Sequence, residues 1–97
     1  MSKVIFEINY NINPEKRSEY FGIIEEIKKL NSAAGIDYSV YELKKNSNNF
    51  SEIYVCKSEE EFDSLEDNQG DAILDLNDKI NSLLSDPKVS YSTKYEI

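Results

Sequence analysis

From Lys3 to Ile12 the chain alternates. Val4, Phe6, Ile8, Tyr10 and Ile12 fall on one side, and Ile5, Glu7, Asn9 and Asn11 on the other. Period two sustained over this length predicts a strand with one buried face. The period then changes. Asn13 is a good N-cap and Pro14 suits a first helical position, and Tyr20, Ile23, Ile24, Ile27, Leu30 and Ala34 recur at three and four. They predict an amphipathic helix that Gly35 closes.

Residues 36–45, IDYSVYELKK, predict a second strand in which Tyr38 and Val40 compete with Tyr41 and Leu43 for the inner face. The polar cluster 46–49 is a turn. Phe50 to Lys57 predicts a third strand, with Ile53 and Val55 on one face and Glu52, Tyr54 and Cys56 on the other. The two strands form a hairpin.

Ser58-Glu59-Glu60-Glu61 is a capping box that opens a helix and places acid at its positive end. Phe62 and Leu65 are the apolar positions of this short piece, which Asn68-Gln69-Gly70 interrupts. A second piece carries Ile73, Leu76, Ile80, Leu83 and Leu84 and is expected to run to Asp86-Pro87. Residues 88–97 alternate again, with Val89, Tyr91, Thr93, Tyr95 and Ile97 in phase. The order β-α-β-β-α-β spans residues 1–97 as a single domain. It predicts an α+β fold, a four-stranded antiparallel sheet with both helices on one face. Strands one and three are expected in the middle, running parallel.

Composition narrows the function. The chain has 97 residues, 39% of them hydrophobic, enough for one modest core without disulfide or metal staples. Eleven basic against 19 acidic residues give a net charge of −8. That charge repels phosphate and argues against nucleic acid and anionic membrane surfaces as partners. No histidine is present, which removes the commonest general base and zinc ligand. A single cysteine, Cys56, can form neither an internal disulfide nor a Cys-type zinc site, so no metal is expected. No signal-like or membrane-spanning apolar run is visible, and with a free thiol and no disulfide pair the expected location is cytoplasmic.

The Asn-Pro start of helix one, the Ser58-Glu59-Glu60-Glu61-Phe62 entry to helix two, and Leu83-Leu84-Ser85-Asp86-Pro87 leading into a tyrosine-bearing last strand resemble the dimeric α+β barrel superfamily. This group is ferredoxin-like, and the resemblance covers the whole chain. It implies a homodimer in which two sheets face each other. The superfamily includes antibiotic-biosynthesis monooxygenases, haem-degrading enzymes, small-molecule-binding proteins and members of unassigned role. Its haem-degrading members use a histidine and a tryptophan. This chain has neither, so no haem or other cofactor is expected. Cofactor-free monooxygenases lean on Asn, Trp and His, for which only Asn9 could stand in.

The candidate chemistry is sparse. On the sheet face away from the helices, Glu7 and Asn9 would be enclosed by a partner and expected beside Glu52, Tyr54 and Cys56. Glu7 could then act as a base, or merely hydrogen-bond across the dimer. Cys56 lies mid-strand with no histidine to activate it and reads as a packed thiol. Residues 58–78 hold nine Asp or Glu and no Lys or Arg, a solvated acidic face. Among seven tyrosines, Tyr20, Tyr54 and Tyr91 are candidates to line a ligand pocket with Glu7 and Asn9. The expected function is a small homodimer that binds a small apolar or aromatic molecule. The alternatives are a cofactor-independent monooxygenase or isomerase, or a purely structural interaction module.

Overall fold

The computed structural model describes residues 2–97. Strand β1 (Val4–Asn11) is followed by a single 3-10 turn, Pro14–Lys16, and helix α1 (Arg17–Ala33). Asn13 caps the turn rather than the helix, its Oδ1 accepting from the Glu15 amide at 3.0 Å. Helix α1 ends in a Schellman motif. The Ile36 amide donates to the Asn31 carbonyl and the Gly35 amide to the Ser32 carbonyl, with Gly35 at φ 73°. Ala34, placed in the apolar stripe by spacing, lies exposed in this cap.

The hairpin comprises β2 (Asp37–Glu42) and β3 (Asn49–Cys56). Arg17 fastens its loop. The guanidinium donates to both Glu42 oxygens (2.6 and 2.9 Å) and to Asn48 Oδ1 (2.8 Å), and the Asn48 amide donates to Glu42 at 2.9 Å.

Helix α2 (Glu59–Asp63) is capped by Ser58, whose Oγ accepts from the Glu61 amide at 3.2 Å, while Glu61 accepts from the Lys57 amide. Helix α3 (Leu65–Asn81) is broken at Gly70, whose φ of 76° and ψ of 176° are not helical. This is the interruption the Asn-Gln-Gly run predicts. The helix stops at Asn81 rather than at Asp86-Pro87. Leu83 and Leu84 leave it because the end of β1 recruits their backbone. The Asn13 amide donates to the Leu83 carbonyl, the Ser85 amide to the Asn11 carbonyl, and Ile12 bridges Leu84. Strand β4 (Ser90–Tyr95) completes the sheet.

The sheet order is β2-β3-β1-β4, and every neighbouring pair is antiparallel. The expectation that the two central strands run parallel is therefore corrected. The α1 crossover returns the chain in the direction of β1, so it is β2 that runs with β1, and the hairpin then reverses β3. A second correction concerns facing. Phe6 pairs with Tyr54, Ile8 with Glu52 and Val4 with Cys56. Residues paired across antiparallel strands share a face. Glu52, Tyr54 and Cys56 thus lie under the helices, and Ile53 and Val55 stand with Ile5 and Glu7 on the open face. Both alternating sets of β3 carry apolar residues, so alternation alone does not decide between them. Register does. On β2, Tyr38 and Val40 pack inward, while Tyr41 and, just past the strand, Leu43 are exposed.

Tyr20, Ile24 and Ile27 of α1 and Ile80 and Leu76 of α3 meet Tyr10, Ile12 and Phe50 in one core cluster. Fully burying a side chain such as Ile27 stabilises the fold by about 1.5–3 kcal/mol. Val4, Tyr54, Cys56 and Leu65 form a second cluster toward the other end of the sheet. No helix of the described residues is long and apolar enough to cross a membrane.

Candidate functional site

The inward row of β3 reads Phe50, Glu52, Tyr54, Cys56. It places one carboxylate among aromatic rings at the middle of the sheet, 2% exposed. An isolated buried charge is costly, so its partners are the first question. Three elements supply phenols. Tyr10 of β1 donates to Glu52 Oε2 at 2.8 Å, and Tyr38 of β2 donates to Oε1 at 2.5 Å. Tyr20 of α1 meets the Tyr10 oxygen at 2.8 Å. Since the Tyr10 proton is committed to Glu52, Tyr20 is the donor of that pair. All three hydroxyls therefore direct their protons toward one carboxyl group.

Among the described residues no Lys or Arg pairs with Glu52. Burial pushes its carboxyl above the usual carboxylate range, and the two phenol donors only partly oppose this. The tyrosines are also pushed up, in each case chiefly by burial, and Tyr54 reaches about 12. They are protonated donors at neutral pH. Cys56 is likewise raised by burial, with Glu61 and Asp37 adding to it, which leaves the thiol unreactive.

A cavity of about 230 Å³ opens between α3 and the inner face of the sheet. Phe6, Tyr10, Tyr54 and Tyr91 contribute rings, Glu52 and Gln69 polar groups, and Ile8, Leu65 and Ile80 aliphatic surface. Tyr91 stacks on Phe6 with centroids 6.1 Å apart. Gln69, one residue before the Gly70 break, donates through Nε2 to Tyr54 Oη at 2.8 Å and to Asn31 Oδ1 at 3.4 Å. Asn31 is fully buried, and its Nδ2 is without a partner among the described residues. A larger hollow of about 520 Å³ lies between α1 and α3, but it is shallow and open, and its polar wall is the surface residues Glu26, Lys29, Asp75 and Lys79. A third hollow of about 260 Å³ lies between α1 and β2, but its half-buried carboxylate, Glu42, is already held by Arg17. The cavity beside Glu52 combines enclosure with a buried carboxyl that no cation among the described residues pairs.

The structure divides the candidates read from sequence. Tyr54 and Tyr91 line the cavity. Tyr20 stands behind its wall, joined to it through Tyr10. Glu7 and Asn9 lie on the opposite face. Glu7 accepts from Lys94 Nζ at 3.2 Å, and Asn9 is hydrogen-bonded by the Ser51 hydroxyl. Neither lies beside Glu52, Tyr54 or Cys56, because the register turns that row inward. Glu52, Tyr10, Tyr38 and Gln69 were not anticipated. The available signal was a carboxylate flanked at two-residue spacing by Phe50 and Tyr54, in phase with a buried row.

The architecture is that of the ferredoxin-like α+β proteins, the fold implied by the sequence resemblance and shared with antibiotic biosynthesis monooxygenases. No family model matches the sequence, and no curated protein matches it. Solved structures match the fold. A conserved protein from Methanosarcina mazei Go1 superimposes with a TM-score of 0.84 at 17% identity, covering 100% of this chain and 95% of the other. A structure described as an antibiotic biosynthesis monooxygenase gives 0.79 at 16% identity, with coverages of 100% and 99%. A dimeric ferredoxin-like protein from an uncultured marine organism gives 0.71 at 11%, covering 100% and 90%. At such identities the likeness is one of fold.

Proposed function

We propose that this chain is a homodimeric binding protein for a small, largely apolar or aromatic molecule, held in the cavity between α3 and the sheet. The observation that carries this reading is the cavity itself. It is walled by aromatic rings, with a few polar groups converging from β3 and α3. Two observations support the dimer. Ile5, Ile53 and Val55 form an apolar strip on a sheet face that no helix covers, and one structure of the same fold is described as dimeric. The single thiol, buried and without a disulfide partner, supports a cytoplasmic location.

The test is titration of the labelled protein with naphthol, followed by amide and side-chain NMR shifts. Saturable shifts at Phe6, Tyr54, Gln69 and Tyr91 support the reading. Shifts confined to the Glu7–Asn9 face, or none at all, overturn it.

A second reading, a cofactor-independent monooxygenase or isomerase, is favoured by Glu52. A carboxyl with a raised pKa on a cavity wall suits a general base, and a monooxygenase shares the fold. It requires that Glu52→Gln abolish turnover of a bound substrate while leaving its binding intact.

A further inference from the structure

The wall of the cavity is chemically one-sided. It carries the rings of Phe6, Tyr10, Tyr54 and Tyr91 and the carboxyl groups of Glu52 and Glu66, and no Lys or Arg among its described lining residues. Ring faces attract cations through their quadrupole, most strongly where water is excluded. Glu52 is buried with two phenol donors and no positive charge beside it. Two hydrogen bonds satisfy the geometry of a carboxylate but do not neutralise it, so the group, once ionised, lacks a counter-ion. The whole chain adds a field of the same sign, at −8.

We propose that the molecule taken by this cavity is a small organic cation, an aryl or alkyl ammonium whose charge lies against the Glu52 carboxylate and the surrounding tyrosine and phenylalanine rings. This rests on the reading of the cavity as a ligand site and names the chemical class it selects. Gln69 fits the assignment. Its Nε2 is engaged by Tyr54 and Asn31, which leaves its amide oxygen to accept from an ammonium N–H. A carboxylate ligand would meet two acidic groups and no cation, and a neutral ligand would leave Glu52 as it is.

Three probes of nearly equal size separate the possibilities: benzylammonium, benzyl alcohol and benzoate. Each is titrated into the intact protein at mildly alkaline pH and low salt, with binding read by calorimetry and by NMR shifts at Phe6, Gln69 and Tyr91. Benzylammonium is expected to bind at least about tenfold more tightly than benzyl alcohol, with benzoate weakest. Glu52→Gln should remove most of that preference. Tyr91 is 67% exposed, so Tyr91→Leu leaves the fold intact. It should weaken benzylammonium severalfold more than benzyl alcohol, which keeps the proposal testable if Glu52→Gln does not fold. Equal affinity for alcohol and ammonium, or tighter binding of benzoate, overturns the cation assignment and leaves the cavity as a ligand site. No binding by any probe overturns both readings.

Discussion

Tyr38 Oη stands 2.5 Å from Glu52 Oε1, and the two residues sit on adjacent strands, Tyr38 opposite Tyr54 and Glu52 opposite Val40. A diagonal contact across β2 and β3 thus joins an edge strand to the buried carboxyl at the centre of the sheet.

That carboxyl makes stability depend on pH in a direction unusual for an acid. Its folded pKa lies above the unfolded value of 4.5, so between the two the folded state holds a proton that the unfolded state has released. The contribution to stability is complete below the unfolded value and is lost as pH rises through the folded one. Glu52→Gln should remove this loss. Urea denaturation of both proteins across the mildly acidic to alkaline range should show the difference in unfolding free energy shifting toward the variant as pH rises. A constant difference would contradict the raised pKa. At the acidic end the variant should be less stable by about 1 kcal/mol, because one phenol proton loses its acceptor.

Glu42 acts in the opposite sense. Its hydrogen bond from Arg17 first, and the Asn48 and Asn46 amides after it, hold its pKa at about 2, below the ordinary 4.5, although burial opposes the shift. Its contribution is present above 4.5 and lost as pH falls through about 2. Arg17→Gln should move the acid limb of unfolding to higher pH. Salt should have little effect on that limb in the variant but should weaken it in the parent. Circular dichroism during acid titration at two ionic strengths reads both.

Two glycines should respond with opposite signs. Gly22 lies on the exposed face of α1, and a Cβ there meets nothing within 4 Å. Gly22→Ala should stabilise by about 0.5–1 kcal/mol, raising Tm by roughly 4 °C. Gly70 has equally open surroundings but φ of +76°. Gly70→Ala should cost roughly 1–3 kcal/mol, because φ 76° with ψ 176° is a backbone region essentially reserved for glycine. Thermal scans of the two variants side by side separate helix propensity from conformation.

For the proposed dimer, sedimentation equilibrium at micromolar concentration should give twice 11.2 kDa. The interface should bury on the order of 1,500 Å². Val55 pairs with Ile5 across the two central strands, toward one end of the uncovered face, and Val55→Lys should yield a folded monomer. A parent protein that sediments only at 11.2 kDa would refute the arrangement.

Element order was legible because each period was long or firmly capped: ten alternating residues around β1, the Ser58 box, and glycines at positions where the backbone turns left-handed. What sequence could not supply was register. Ile53 and Val55 are as apolar as Tyr54 and Cys56, and it is the pairing of Glu52 with Ile8, Tyr54 with Phe6 and Cys56 with Val4 that shows which set is covered. Facing decides the site, because it sets Glu52 rather than Glu7 beneath the helices. Leu84 departs from its local period for a related reason. Its spacing continues α3, but Ile12, more than seventy positions earlier, draws it into a bridge. Long-range pairing of this kind overrides local periodicity without leaving a local mark.

The inert thiol of Cys56 gives this protein an internal clock. Cys56, the chain's single cysteine, is 1% exposed and packed with Val4, Tyr54 and Leu65 where β1 meets β3. A thiol reagent can reach it only when that corner of the sheet comes apart. At saturating reagent, where alkylation outpaces reclosing, its rate in native buffer therefore counts opening events, and a ligand seated beside Tyr54 would slow the count in proportion to its occupancy.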